Sequence, residues 1–118
     1  MSEIRVTTIS DTAGTGPVTL TKQHAAKAWA HTTDHTIDDS FNHSSSTDHG
    51  TGDYTLSFTN NMANNTFSST ANACQTGFRF VTIYQLRNSA GSHGLYIGNS
   101  SSAADDQNIM SQTHGDLA

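Results

Sequence analysis

The sequence has few charged and few hydrophobic side chains, a combination that excludes several classes of protein. Only 13% of the 118 residues are charged and 33% are hydrophobic. Disordered chains usually combine low hydrophobicity with high net charge, and that charge is missing here. Ser, Thr, Asn and Gly fill the gap, and β-branched Thr favours pleated surfaces. The composition therefore predicts one polar, all-β domain.

Basic residues, long apolar runs and cysteines are also scarce. The five Lys and Arg residues are scattered and the net charge is -5, whereas contacts to nucleic-acid phosphates need a basic patch. No apolar run approaches the length of a membrane span, and residues 1–10 lack the apolar core of a signal peptide. We therefore expect a soluble chain made in a cytoplasm, without nucleic-acid binding or membrane insertion. The single cysteine, Cys74, cannot form an intrachain disulfide.

The clearest structural signal lies in residues 39–59. Residues 48–53 contain Gly50 and Gly52, which can adopt the positive φ angles of a short hairpin loop. After this loop, apolar residues occupy alternate positions at Tyr54, Leu56 and Phe58. Before it, we expect an extended segment with four side chains on the same side: Phe41, His43, Ser45 and Thr47. The pattern predicts a β-hairpin with one face in a core.

One segment favours a helix, and other short segments favour strands or loops. Residues 22–30 are predicted to form a short helix, with Thr21 as its N-cap and Trp29 buried. Residues 31–38 are expected to be irregular. Residues 78–86 are the most β-prone run and do not alternate strictly, so both faces of that strand are expected to be covered. Further strands are predicted at 66–70, 95–97 and 108–114, and loops at 88–94 and 98–107.

These elements together predict an all-β protein. Its fold class is an antiparallel β-sandwich-like knob of about six strands with one short helix. Residues 1–20 are expected to form an extended N-terminal docking arm, and residues 21–118 a single β-rich domain.

Histidines are the most plausible metal ligands in the sequence. Five of the seven lie between positions 24 and 49, among several aspartates. Their spacing matches neither HExxH nor a paired Cys/His framework, so we predict no cofactor and no metal site within one chain. His43 offers another arrangement, in which three copies share one metal ion on a threefold axis. The simpler interpretation is an ordinary hydrogen-bonded histidine.

The sequence lacks the patterns of nucleophilic catalysis. There is no GxSxG elbow, and no histidine is patterned around Cys74. The pairs Asp38-Asp39 and Asp105-Asp106 lack EF-hand spacing. Aromatic residues can stack on sugars, but we expect most of them in the core: Trp29, Tyr54, Tyr84 and Tyr96. We therefore predict that the chain is not an enzyme.

Short motifs run through the first half of the chain. They are Ala25-Ala26-Lys27-Ala28-Trp29, Asp39-Ser40-Phe41-Asn42, Thr47-Asp48, Gly50-Thr51-Gly52-Asp53-Tyr54-Thr55, Phe58-Thr59 and Met62-Ala63. Together with the ending Gly115-Asp116-Leu117-Ala118, they resemble a module of tailed-bacteriophage tail-fibre proteins and small virion structural proteins. The matching residues are frequent in the first half of the chain and sparse in the second half. The sequence departs from the module at His43, where an aliphatic residue is usual, and at His49, where Asn is common.

The resemblance implies a bacteriophage virion structural protein, assembled in the host cytoplasm. It implies a homotrimeric tail-fibre or tail-associated knob for assembly and host attachment, with the arm docked to other virion proteins. Binding usually resides in loops on a rigid scaffold, so the predicted contacts to a host surface glycan are His49, Gly50, Thr51, Gly52, Ser92 and His93. Two alternatives remain open: a capsid decoration (cement) protein, and a small monomeric carbohydrate-binding domain.

Overall fold

The computed structural model describes residues 25–73, 79–104 and 108–118. Within these ranges the chain forms two four-stranded antiparallel sheets and almost no helix, which confirms the all-β prediction. The predicted docking arm, Thr21, Cys74 and the pair Asp105-Asp106 lie outside the described residues. No helix of the described part is long and apolar enough to span a membrane.

Sheet A has the strand order β2-β1-β8-β5, and sheet B has the order β3-β4-β7-β6. The strands are β1 (Ala28–Thr33), β2 (Thr36–Phe41), β3 (His43–Gly50), β4 (Asp53–Phe58), β5 (Ser68–Ala73), β6 (Phe80–Ile83), β7 (Ser92–Gly98) and β8 (Ile109–His114). A 3-10 turn, η1 (Gln85–Arg87), precedes β7.

The predicted hairpin is formed by β3 and β4 of sheet B. The two strands pair antiparallel up to the contact between Gly50 and Asp53. Gly50 and Gly52 have φ angles of 123° and 72°. A Cβ atom on Gly52 would lie 2.4 Å from the carbonyl oxygen of Ile97, so the turn requires glycine where it packs on β7. The alternating residues are buried as predicted: Tyr54, Leu56 and Phe58.

The hairpin begins later than predicted, because the chain changes sheets at Asn42. Asn42 has a φ of 60°, and its side-chain amide donates to the carbonyl oxygens of Lys27 and Asn60. Phe41 therefore ends β2 in sheet A, while His43 starts β3 in sheet B. The prediction that Phe41 and His43 share one side of a strand is wrong, since a left-handed residue interrupts the alternation between them.

The predicted helix is wrong over its described part, because residues 28–30 belong to β1. This strand pairs with β2 on one side and β8 on the other. Ala28 and Ala30 are buried, whereas Trp29 points to the outer face and is 40% exposed. Pairing on both edges overrides the weak helix preference of an alanine-rich segment. The expected burial of Trp29 is therefore also wrong.

Two other segments differ from the sequence prediction. Residues 31–38, predicted to be irregular, form a β1–β2 hairpin. Its two turn residues, Asp34 and His35, have φ angles of 47° and 57°, as a two-residue hairpin turn requires. Of the predicted strand 78–86 the structure describes residues 79–86, and among these only Phe80–Ile83 is a strand, at the edge of sheet B. Phe80 is 39% exposed, so this strand is not covered on both faces.

The core lies between the two sheets and combines apolar packing with hydrogen bonds. Its main apolar cluster consists of Ala30, Tyr54, Leu56, Leu95, Ile97 and Ile109. The hydroxyls of Thr32 and Tyr54 lie 3.1 Å apart, and His93 Nδ1 lies 3.0 Å from Thr113 Oγ1. Both bonds join sheet A to sheet B, so they fix the sheets against each other. The outer face of each sheet is therefore backed by a packed core.

Candidate functional site

A groove of about 480 Å³ lies on the outer face of sheet A. This volume is within the usual range for small-molecule sites, roughly 300–1,000 Å³. The groove has no Asp, Glu, Lys or Arg in its lining, which consists of Trp29, Ala30, His31, Thr70, Asn72, Met110, Ser111 and Gln112.

The strand register places the groove side chains in rows. Trp29 pairs with Gln112, and Gln112 pairs with Thr70, so these residues form one row across β1, β8 and β5. Neighbouring strands lie about 4.8 Å apart, and residues two positions apart on a strand are separated by about 6.6 Å. The parallel row on the same face consists of His31, Met110 and Asn72.

Large exposed apolar side chains lie on three neighbouring strands of this face, β2, β1 and β8. Trp29 is 40% exposed, and Phe41, its register partner on β2, is 54% exposed. Met110 on β8 is 52% exposed. Amide and hydroxyl side chains follow on β8 and β5. The face therefore presents flat apolar groups next to neutral polar ones.

The polar groups of the groove are available to a ligand. Within the described ranges, the side chains of Thr70, Asn72 and Gln112 have no hydrogen-bond partner. Each amide offers both a donor and an acceptor, as does the hydroxyl. His31 is oriented by Asp38, because its Nδ1 lies 3.2 Å from a carboxylate oxygen that also accepts a hydrogen bond from Thr33.

His43, the predicted shared metal ligand, lies inside a cluster of rings. Its ring stacks on Phe58 with centroids 5.2 Å apart and lies 5.1 Å from the ring of His93. Its Nε2 is buried without a hydrogen-bond partner in the described part, and its Nδ1 lies 3.3 Å from the carbonyl oxygen of Ser57. Burial lowers the pKa of His43.

A metal ion shared between copies of the chain would need the His43 ring to turn so that Nε2 reaches the surface. This site stays a prediction. Within a single chain, the described residues contain no group of three or more His, Cys, Asp or Glu side chains placed to hold a metal ion.

The first predicted binding loop is the β3–β4 turn. Its residues His49, Gly50 and Thr51 are exposed, while Gly52 is buried against β7. His49 Nε2 lies 2.9 Å from Thr55 Oγ1, so the imidazole is held back along the hairpin. The tip therefore exposes little side-chain surface apart from Thr51 and part of His49.

The second predicted loop, residues 88–94, ends in a strand. Ser92 and His93 belong to β7, and His93 is fully buried, so its assignment to an exposed loop is wrong. Burial, reinforced by the nearby His43, lowers the pKa of His93 to about 3. Ser92 lies opposite Ser57, whereas the hairpin turn adjoins Asp53 at the other end of β4. The structure therefore does not bring the two predicted loops together.

Sequence reasoning missed the groove because it assigned Trp29 to a helix. The available signal was an alternation with period two over residues 28–32, in which Trp29 and His31 fall between small or polar core residues. Residues 109–113 alternate in the same way, with Met110 and Gln112 outward. Which of the two faces is left open depends on strand pairing between distant segments, and local pattern does not determine that.

The groove has the chemistry of a binding site. An exposed indole provides a flat apolar surface, and neutral amides and hydroxyls beside it can fix the orientation of a ligand. Its lining contains no carboxylate, and in the described ranges no hydrogen bond joins His31 to the hydroxyl of Thr70 or Ser111. Comparison of the chain with protein-family models, curated proteins and solved structures finds no match.

Proposed function

We propose that this chain is a structural and adhesive protein of a bacteriophage virion, a tail-fibre or tail-associated knob that takes part in assembly and host attachment. It acts by binding and not by catalysis. The motifs that resemble tailed-phage virion modules support the virion setting. The adhesive role rests on one observation, the exposure of Trp29, Phe41 and Met110 on a single sheet face.

The exposure of these three side chains supports a binding role for a physical reason. The outer face of a sandwich sheet is normally polar, because water covers it and the apolar side chains of each strand point into the core. Large apolar side chains clustered on such a face mark interaction sites. Two of them, Trp29 and Met110, lie on β1 and β8, strands that hydrogen bonds join to the opposite sheet. A ligand would thus meet a surface that needs little reorganisation.

Assembly as a homotrimer is part of the proposal, with residues 1–20 docking the knob to other virion proteins. Light scattering of the purified chain measures its mass directly, and we expect the mass of a trimer. The same measurement with a chelator tests His43: dissociation would support an ion shared on the threefold axis, and an unchanged trimer would count against it.

Immunogold electron microscopy tests the virion assignment. Gold-labelled antibodies raised against the purified chain should bind the tails of the phage virions whose genome encodes the chain. Labelling that is blocked by excess purified chain establishes specificity. Label over the capsid shell would instead support the decoration protein, and virions without label would contradict the proposal.

A monomeric carbohydrate-binding domain is the second candidate, and the neutral groove beside Trp29 favours it. This candidate predicts the mass of a monomer by light scattering and no label on virions. It shares with the first candidate a binding face on sheet A.

A further inference from the structure

We infer that the groove on sheet A binds a neutral saccharide, with a pyranose ring stacked on the indole of Trp29 and hydroxyls bonded to Gln112, Thr70 and Asn72. This inference deepens the proposed role in host attachment and rests on it, because it names the ligand class and the surface that takes it. It also moves the binding surface from the predicted loops to the face of a sheet.

The indole supplies the apolar part of the site. Trp29 lies on β1, in the interior of sheet A, and is 40% exposed on the outer face. One face of many pyranose rings carries only C–H groups, and this face packs well on a flat, rigid aromatic ring. Tryptophan offers the largest such ring among the side chains and loses little conformational entropy when covered.

Polar side chains on the neighbouring strands supply the hydrogen bonds. Gln112 lies next to Trp29 in the register, and Thr70 lies next to Gln112. A sugar hydroxyl both donates and accepts, and so do amide and hydroxyl side chains. Because Gln112, Thr70 and Asn72 have no partner within the described ranges, a saccharide can bond to them without displacing an internal hydrogen bond.

The charge around the groove favours a neutral ligand. The groove lining contains no Asp, Glu, Lys or Arg, and His31 is the one histidine in it. Asp38 and Asp39 border it on β2, the register partner of β1. The whole chain carries a net charge of -5. An anionic sugar, a phosphate or a nucleic acid would therefore be repelled, whereas a neutral sugar would not.

Binding of the full chain to immobilised neutral oligosaccharides tests the inference. The panel contains β-glucan, α-glucan, galactan, mannan and N-acetylglucosamine oligomers. We expect at least one to bind, and we expect Trp29→Ala to weaken that binding on the order of tenfold or more, as truncation of a central tryptophan usually does. Gln112→Ala should weaken it less, and it supplies a second variant if Trp29→Ala does not fold.

Phe80→Ala is the matched control. Phe80 is 39% exposed, close to the value of Trp29, but lies on the edge strand of sheet B. Its replacement should leave saccharide binding unchanged. Equal binding by Trp29→Ala and the unmodified chain, or no binding to any member of the panel, would overturn the inference. A changed mass for Trp29→Ala by light scattering, without an effect on saccharides, would also overturn it, because the face would then be a contact between copies.

The two proposals fail in different ways. Gold label on phage tails without saccharide binding would refute the inference and leave the virion role intact. Saccharide binding that depends on Trp29, together with virions that carry no label, would refute the virion role and favour the monomeric carbohydrate-binding domain.

Discussion

The outer faces of the two sheets differ in what covers them. On sheet B, the segment around η1 folds back over β7, and Arg87 forms an ion pair with Asp53 at 2.8 Å. The ring of Tyr84 lies 5.8 Å from that of Tyr96 on the same face. On sheet A, in contrast, the described residues leave a groove between Trp29 and the amides of β8 and β5.

The difference shows how one sandwich uses its two outer surfaces. Sheet B uses side chains of its own polypeptide as a cover, and a glycine in β7 makes room for that cover. Sheet A keeps apolar side chains in contact with water, which a ligand can displace, next to amides that have no partner in the described ranges. We propose that the covered face contributes to stability and the open face to binding. The predictions below test that division.

Acid should change stability most, because it acts on a histidine in the core between the two sheets. The neutral His93 is buried between the sheets, and its pKa is lowered to about 3. In the unfolded chain this histidine takes up a proton near pH 6.5. The contribution of the neutral His93 to the free energy of unfolding is therefore fully present above pH 6.5 and decreases between about pH 6.5 and pH 3. The expected loss is on the order of 1.4 kcal/mol for each pH unit. Urea unfolding at pH 7 and pH 5 measures it.

His93→Gln is the control for the acid effect. It removes the titrating group and keeps a polar side chain near Thr113, so the decrease in stability between pH 7 and pH 5 should be smaller than in the unmodified chain. Equal decreases in both proteins would show that other groups cause the acid sensitivity.

Gly94→Ala should damage the cover of sheet B. A Cβ atom at this position would lie 2.3 Å from Cβ of Arg87 and 2.7 Å from the carbonyl oxygen of Tyr84. Moving the covering segment away should cost about 1–3 kcal/mol of unfolding free energy, as overpacking does. Denaturant unfolding measures the change. Gly91→Ala is the control, because the nearest atom to a Cβ at Gly91 would belong to the Asn61 side chain, 3.4 Å away. A similar loss of stability at both positions would show that the segment around η1 does not pack tightly on Gly94.

Arg87→Gln should weaken the same cover to a smaller extent. The side chain donates to both carboxylate oxygens of Asp53, but the pair is partly exposed and water screens it. We expect a lower melting temperature at low salt and a smaller difference at high salt. A difference that does not depend on salt would mean that the arginine acts by packing and not by charge.

Gln112→Ala, on the open face, should change stability least. Gln112 is exposed and its side chain has no partner in the described ranges, so its removal should alter the unfolding free energy by less than about 0.5 kcal/mol. Thermal unfolding measures this, and the same variant should weaken saccharide binding. A large loss of stability would show that the open face contributes to the fold as the covered face does.

The sequence allowed prediction of features that depend on neighbouring residues. The β3–β4 hairpin was predictable, because alternation and two glycines specify it locally. β1 was not, because its alanines favour a helix and its pairing with β8 joins segments far apart in the chain. The change of sheet at Asn42 depends on one residue with a positive φ. The groove is lined partly by β1, so it was missed together with that strand.

Fluorescence of the single tryptophan tests the central claim most directly, because Trp29 is the only one in the chain. The chain is titrated with N-acetylglucosamine trimer, cellotetraose and maltotetraose, and with any oligosaccharide that the immobilised panel identifies. Binding on sheet A predicts a saturable blue shift of the emission and protection from acrylamide quenching, retained in Phe80→Ala. An unchanged spectrum with a saccharide that binds the chain would place the ligand elsewhere and contradict the assignment of the open face.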